Sequence, residues 1–176
     1  MSQHLPDQFD PWRFADLGNQ ISGRFPLADL PRLRACLMDA EGEVAFDLVF
    51  QRDERRRACV QGDLRASLKL ECQRCLGPMV LPVDAEISLA FVEGQDEAEA
   101  LPEQLDPHLV EDGRVKLRDL VEDDLLLALP QVARHSEGDC TMQSADEPSL
   151  DPESESGKAE RENPFAMLAE LKRDHD

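Results

Sequence analysis

The chain has 176 residues, of which 41 % are hydrophobic and 32 % are charged, enough for one folded domain with tails. Its net charge of −19 argues against non-specific nucleic-acid binding, because proteins hold polyanions mainly through Lys and Arg. The same charge favours basic partners, such as newly made ribosomal proteins, although acidic residues can also serve solubility alone.

No targeting or membrane segment is predicted. Residues 1–10 lack a basic start followed by an apolar run, which is what a signal peptide requires. The longest apolar run, residues 125–130, is far shorter than the roughly 20 residues of a membrane-spanning helix. We therefore expect a soluble, cytoplasmic protein that contacts no membrane.

The first predicted element is a short helix. Asp10 followed by Pro11 is a favoured helix start, and Gly18 can end the helix. Trp12, within it, is interpreted as a core anchor rather than as a platform for base stacking. Residues 26–33 are predicted as a turn or short helix, and residues 33–38 are a candidate for an additional strand.

Three segments, residues 44–50, 58–71 and 81–91, then show apolar side chains at every second position. This period of two is typical of half-buried antiparallel strands. The connections between them are short and turn-like, which favours a β-meander.

The predicted pattern changes after the third strand. Residues 93–113 are acidic, contain two prolines and are predicted to form a loop. From Leu117 the apolar residues follow helical spacing up to Pro130, with Asp119, Glu122 and Asp123 on the opposite, polar face. The expected fold class is therefore α+β: an antiparallel β-meander or partly closed sheet covered by one main helix, in a single domain of residues 1–140.

The rest of the chain is predicted to consist of two parts. Residues 141–162 are rich in Ser, Glu, Asp and Pro and are expected to be a disordered acidic linker. Residues 163–176 are predicted to form a short amphipathic helix, which is too short to be stable alone. It would dock either on its own domain or in a groove of a partner. Its candidate partner-binding residues are Phe165, Met167, Leu168 and Leu171.

The charges are unevenly distributed. Residues 51–75 hold seven bases and four acids, whereas residues 93–162 hold 21 acids and six bases. Candidate RNA or phosphate contacts in the basic part are Arg55, Arg56, Arg57 and Arg74. A run of arginines is also typical of a solvated turn, so both interpretations stay open.

Enzyme signatures are absent from the sequence. It contains no phosphate-binding glycine loop, no His-Glu-x-x-His and no serine in a nucleophile-elbow context. The four histidines, His4, His108, His135 and His175, are all expected in loops or tails. We therefore predict no catalytic residue and a protein that is not an enzyme.

Cys72 and Cys75 form a Cys-x-x-Cys at the tight end of a predicted hairpin, which is the arrangement of half a zinc site. His135 and Cys140, beyond the helix, are the candidates for the other two ligands. Structural zinc is one interpretation, reduced thiols packed at the hairpin end are a second, and redox use is a third. No cofactor other than zinc is suggested. The remaining cysteines, Cys36 and Cys59, are expected to be small core residues.

Several motifs occur together in a recognisable order. They are Glu71-Cys72-Gln73-Arg74-Cys75, the segment at residues 99–103, the helix at residues 121–130 with His135 and Cys140 after it, and the segment at residues 163–172. Together they resemble the YceD family, the large ribosomal RNA subunit accumulation proteins of bacteria and chloroplasts. Some relatives carry several further cysteines after the helix, whereas this chain has only His135 and Cys140 there.

The resemblance implies a role in the synthesis, processing or stability of 23S rRNA and no catalytic residues. The implied partner is 23S rRNA or its precursor, contacted directly or through a basic ribosomal or assembly protein, and not DNA. An alternative function is that of a zinc-stabilised acidic adaptor that binds proteins and has no ribosomal role.

Overall fold

A computed structural model describes residues 5–136 and 138–140. Within these residues the chain forms seven strands, four α-helices and one 3₁₀ turn. In chain order they are β1 (Gln8–Phe9), α1 (Pro11–Leu17), β2 (Gln20–Pro26), a 3₁₀ turn (Leu27–Asp29), α2 (Pro31–Arg34), β3 (Glu43–Arg52), β4 (Ala58–Glu71), β5 (Pro78–Val92), α3 (Gln95–Glu99), β6 (Asp106–Leu109), β7 (Val115–Lys116) and α4 (Leu117–Leu127).

The main sheet has five strands in the order β2-β3-β4-β5-β6. The first four strands are antiparallel neighbours, as the predicted meander requires, and β6 pairs parallel to β5. The sheet is open, because β2 and β6 are its two edges, and the expectation of partial closure is therefore wrong. β1 and β7 form a separate two-stranded antiparallel pair.

The core lies on the apolar face of the sheet. The alternating residues of β3 are buried on that face, with Val44, Leu48 and Phe50 fully enclosed. Helix α4 contributes the buried side chains Leu117, Leu120, Val121 and Leu125. Each fully buried aliphatic side chain of this size contributes about 1.5–3 kcal/mol before conformational entropy is subtracted.

Helix α1 has the ends that the sequence predicts. The Asp10 side chain accepts a hydrogen bond from the Arg13 N–H at 3.0 Å, and Pro11 is the first helical residue. Gly18 ends the helix with a left-handed φ of 62°, a conformation that glycine adopts without steric cost.

Two expectations about secondary structure are wrong. Residues 33–38 do not form a strand: Pro31 begins the short helix α2, and bends follow it. The additional strand is β2, on the other side of the 3₁₀ turn. Residues 93–113 are not all loop, since they contain α3 and β6. β6 has the sequence Asp-Pro-His-Leu, and its parallel pairing with β5 outweighs its poor intrinsic β preference.

Glu122 is buried, although the helical pattern places it on the polar face of α4. Its carboxylate accepts hydrogen bonds from the backbone N–H groups of Arg32 at 2.7 Å and Leu33 at 3.0 Å, and from Arg32 Nε at 3.0 Å. The first N–H groups of a helix have no partner inside the helix. The residue before α2, Leu30, supplies no side-chain cap, so Glu122 from a distant helix caps α2 instead.

Among residues 5–136 and 138–140, no helix is long and apolar enough to cross a membrane. The predicted acidic linker and the predicted terminal helix with Phe165, Met167, Leu168 and Leu171 lie outside these residues. The division of the chain into domain, linker and terminal helix therefore stays a prediction.

Candidate functional site

The Cys-x-x-Cys occupies the turn between β4 and β5. The Cys72 N–H donates to the Gly77 carbonyl at 2.9 Å, and the Leu76 N–H donates back to the Cys72 carbonyl at 2.8 Å. Leu76, rather than the glycine, takes the left-handed conformation, with a φ of 58°. A Cβ on Gly77 would lie 3.5 Å from the Cys75 sulfur, which is ordinary contact, so this spacing alone does not require glycine.

The segment that follows α4 returns to this turn and completes a cluster of four side chains. The Gln73 N–H donates to the Ala133 carbonyl at 2.8 Å, which holds the returning segment against the turn. The ligand atoms of the cluster lie within 4.8 Å of one another; they belong to Cys72, Cys75, His135 and Cys140. The structure therefore brings together all four residues that the sequence nominates as metal ligands.

Two separations in this four-residue cluster are close to those of a small tetrahedron. Cys72 Sγ lies 3.9 Å from Cys140 Sγ, and Cys75 Sγ lies 3.5 Å from His135 Nδ1. Zinc bonds of about 2.3 Å to sulfur and about 2.0 Å to nitrogen give ligand separations of roughly 3.5–3.8 Å at tetrahedral angles. The two distances fit a zinc ion bound by three sulfurs and one nitrogen.

The histidine ring is oriented as a ligand. Its Nε2 lies 3.0 Å from the Pro78 carbonyl, to which it can only donate, so Nδ1 is left unprotonated in the neutral ring. Nδ1 is the atom that faces the sulfurs. A hydrogen bond from the second ring nitrogen to a carbonyl is the usual support of metal-binding histidines.

The thiols of the cluster differ in their acidity. Burial raises the pKa of Cys72, but hydrogen bonds from the backbone N–H groups of Cys75, His135 and Arg74 lower it to about 5. Burial and the two neighbouring thiols raise the pKa of Cys140 to about 11. The backbone therefore favours one thiolate at neutral pH, and a thiolate is the form in which cysteine binds metal.

The other two cysteines lie away from this cluster. Cys59 is buried in β4, as expected. Cys36 is exposed in the bends after α2, so the expectation that it is a core residue is wrong. Among the histidines, His135 is in a loop as expected, whereas His108 lies in β6. The other two, His4 and His175, are outside the described residues.

The candidate phosphate-contact arginines fall into two places. Arg55, Arg56 and Arg57 lie in the turn between β3 and β4, whereas Arg74 is in the cysteine turn at the other end of β4. A strand of 14 residues spans about 45 Å, so these arginines cannot act as one patch.

Ion pairs neutralise most of the basic middle of the chain. Among its bases, four are paired with carboxylates: Arg52 with Asp16, Arg57 with Asp53, Arg65 with Asp84, and Lys69 with Asp39 and Glu41. Within the described ranges, the ones without an ion pair are Arg55, Arg56 and Arg74.

Comparison with known proteins establishes the family of this chain. The sequence model of the family described as "Large ribosomal RNA subunit accumulation protein YceD" matches residues 60–172 of this chain, which is more than half of its length. The chain belongs to the YceD family. A YceD protein of Haemophilus influenzae, with the same printed description, is 32 % identical over 170 residues, which cover 96 % of each chain. No solved structure matches.

The part that matches the YceD family contains the whole four-residue cluster and Arg74. The matched part begins after the turn that holds Arg55, Arg56 and Arg57.

Proposed function

We propose that this protein is a non-enzymatic factor that supports the synthesis, processing or stability of 23S rRNA, and thereby the accumulation of the large ribosomal subunit. The observation that carries the proposal is its membership of a family named for accumulation of the large ribosomal subunit RNA. The sequence adds that no enzyme motif competes with this assignment.

A deletion strain tests the proposal. Loss of the protein should lower 23S rRNA relative to 16S rRNA and should reduce free large subunits in a ribosome profile, and the wild-type chain should restore both. A normal ratio during fast growth and in the cold would contradict the proposal. It would favour the alternative of a zinc-stabilised adaptor without a ribosomal role.

The direct contact is either the RNA or a basic assembly protein. The net charge of −19 supports at most weak, salt-sensitive RNA binding by the isolated protein. Crosslinking the tagged protein in cells and identifying the bound molecules distinguishes the two contacts.

We also propose that Cys72, Cys75, His135 and Cys140 hold a structural zinc ion. Three sulfurs and one nitrogen are a ligand set that zinc prefers, and the Cys72–Cys140 and Cys75–His135 distances suit a tetrahedron. A zinc ion here would link the β4–β5 turn to the segment after α4, and its binding free energy would add to folding stability.

Metal analysis tests this site. The purified protein should contain about one equivalent of zinc, and Cys72→Ser should release it and lower the melting temperature. The matched control is Cys36→Ser, because Cys36 is an exposed cysteine outside the cluster. Metal-free wild-type protein that keeps its melting temperature in the presence of a chelator would favour packed, reduced thiols.

A further inference from the structure

A second concave site lies at the opposite end of β4 from the cysteine cluster. It is a pocket of about 320 Å³ between α1, the β3–β4 turn, the end of β5 and α3. Its lining includes Trp12, Arg56, Ala58, Phe91, Val92 and Glu97. This volume is at the lower end of the range for small-molecule sites, so the pocket can take one ring system rather than a helix.

The walls of the pocket differ in chemistry. Ala58, Phe91 and Val92 are buried core residues and form an apolar floor. Trp12 packs against the core while staying partly exposed, so its indole presents an aromatic surface to the pocket. A flat, aromatic ligand fits this combination, because it can lie on the floor and stack on the indole.

The charged groups at the rim are ordered by their ion pairs. Arg52 and Arg57 also line the pocket, but Asp16 and Asp53 neutralise them at 2.8 and 2.6 Å. Among the described residues, Arg56 is the lining arginine without an ion pair, and it is exposed. It can therefore pair with an anionic group of a ligand at little desolvation cost.

Glu97 supplies a hydrogen-bond acceptor at the same rim. One of its carboxylate oxygens, Oε2, accepts a hydrogen bond from the Glu93 N–H at 2.9 Å. In the described part of the chain, the other oxygen has no hydrogen-bond donor. A free carboxylate oxygen suits an exocyclic amino group, which adenine, cytosine and guanine carry and uracil lacks.

We propose that this pocket binds one unstacked nucleotide of single-stranded RNA, with the base on Trp12, the phosphate on Arg56 and a base amino group on Glu97. The site deepens the proposed function and rests on it, since it names the RNA feature that the protein contacts. A basic peptide, the other partner class that the net charge favours, would be repelled at this rim by the guanidinium of Arg56, which no carboxylate of the described residues neutralises.

The backbone at Arg56 provides a substitution that should not impair folding. Arg56 has a φ of 62°, in the left-handed region that disfavours side chains and favours glycine. Arg56→Gly therefore removes the guanidinium and also removes the steric strain of a left-handed backbone conformation. The matched control is Arg34→Ala, which removes an exposed arginine, also without an ion pair in the described ranges, that does not line the pocket.

Trp12 is the single tryptophan of the chain, so its fluorescence reports on this pocket alone. The full-length protein is titrated with oligoadenylate and oligouridylate of about nine nucleotides, a length within the range of single-strand sites. Oligoadenylate should quench Trp12 and bind more tightly than oligouridylate. Arg56→Gly should weaken binding roughly tenfold and lower the salt dependence by about one phosphate contact. Arg34→Ala should leave both unchanged.

Three results would overturn the inference. They are RNA binding without quenching, equal losses in Arg56→Gly and Arg34→Ala, and quenching by oligolysine in place of RNA. None of them bears on the ratio of 23S to 16S rRNA in the deletion strain, so failure of this pocket is distinguishable from failure of the proposed function.

Discussion

Glu122 joins two helices that are far apart in the sequence, and its loss should be costly. Glu122→Ala removes the acceptor of two backbone N–H groups and of Arg32 Nε. Because the buried N–H of Leu33 and the partly buried N–H of Arg32 would be left without a partner, we expect the unfolding free energy to fall by about 2–4 kcal/mol. Urea titration followed by circular dichroism measures this change.

Asp123→Ala is the matched control for Glu122. Asp123 is the next residue of α4 and also pairs with Arg32, but its side chain is partly exposed and accepts no N–H from the backbone of the described residues. Exposed ion pairs contribute at most about 1 kcal/mol. Equal losses for the two variants would show that the bond to the guanidinium, rather than the capping of α2, carries the effect.

Asp124 should make stability depend on pH. Burial, followed by the nearby charges of Asp123 and Asp106, raises its pKa to about 6 from the ordinary 3.8. The folded protein therefore keeps a proton that the unfolded chain releases, and stability falls as pH rises from about 4 to about 6. Asp124→Asn should remove this penalty, with a gain on the order of 1–2 kcal/mol at pH 7.5 and none at pH 4.

Melting temperatures across this pH range measure the effect of Asp124→Asn. Glu111→Gln, at an exposed carboxylate, changes the net charge equally and serves as the control. A gain that is the same at pH 4 and pH 7.5 would mean that better packing, and not the charge of Asp124, is responsible.

The pairing of β3 with β4 depends on one glycine. A Cβ on Gly62 would lie 1.9 Å from the carbonyl oxygen of Asp47 on the neighbouring strand, and backbone cannot move aside cheaply. We expect Gly62→Ala to lower the unfolding free energy by about 2–4 kcal/mol, as steric clashes in packed regions do. Chemical denaturation measures it.

Gly94→Ala is the control for this glycine, since a Cβ at Gly94 meets no atom within 4 Å. If Gly62→Ala were as stable as Gly94→Ala, the strands would have to separate locally at Asp47. If the amides of β3 and β4 that pair around Asp47 exchanged more slowly in Gly62→Ala than in the wild-type protein, the predicted clash would be contradicted.

A helix or strand is predicted well from the sequence where its own residues carry the pattern that forms it. The alternation in β3, β4 and β5 and the capping of α1 are such patterns, and both predictions are confirmed. β2 has only two buried residues, Ile21 and Phe25, and β6 depends on its parallel pairing with β5. Their signals lie in the tertiary structure and not in their own residues.

The same reasoning applies to the candidate sites. The four members of the cysteine cluster could be nominated because their side chains are metal ligands wherever they lie. The capping role of Glu122 could not be predicted in this way. Its position in the sequence is that of a residue on a solvated helix face, and its hydrogen-bond partners are 89 and 90 residues away. The pocket beside Trp12 could not be predicted either, because the arginines that line it with Trp12 are brought there by the fold.

Removal of the C-terminal segment should affect function without affecting stability. Cutting the chain after Thr141 removes the predicted acidic linker and the predicted helix with Phe165, Leu168 and Leu171. If that helix binds a partner, the melting temperature should stay unchanged while the effect on 23S rRNA is lost. Calorimetry and rRNA ratios in a complemented deletion strain measure the two effects.

Each opposite outcome for the truncated chain has a definite meaning. A large loss of stability would show that the segment docks on its own domain. Full activity would contradict a functional role for it. Replacing Phe165 and Leu168 by Ser in the full-length chain keeps the linker in place, and this variant should behave like the truncated one.

The spacing of the cysteine cluster along the chain sets an order of events during synthesis. His135 follows Cys75 by 60 residues, and at about 5–20 residues per second the ribosome needs roughly 3–12 s to make that stretch. Throughout this interval the nascent chain presents Cys72 and Cys75 without the other two members of the cluster, His135 and Cys140. During this interval the two thiols can be oxidised or can bind another metal ion. Their exposure ends once α4 has docked and the segment after α4 has reached the β4–β5 turn.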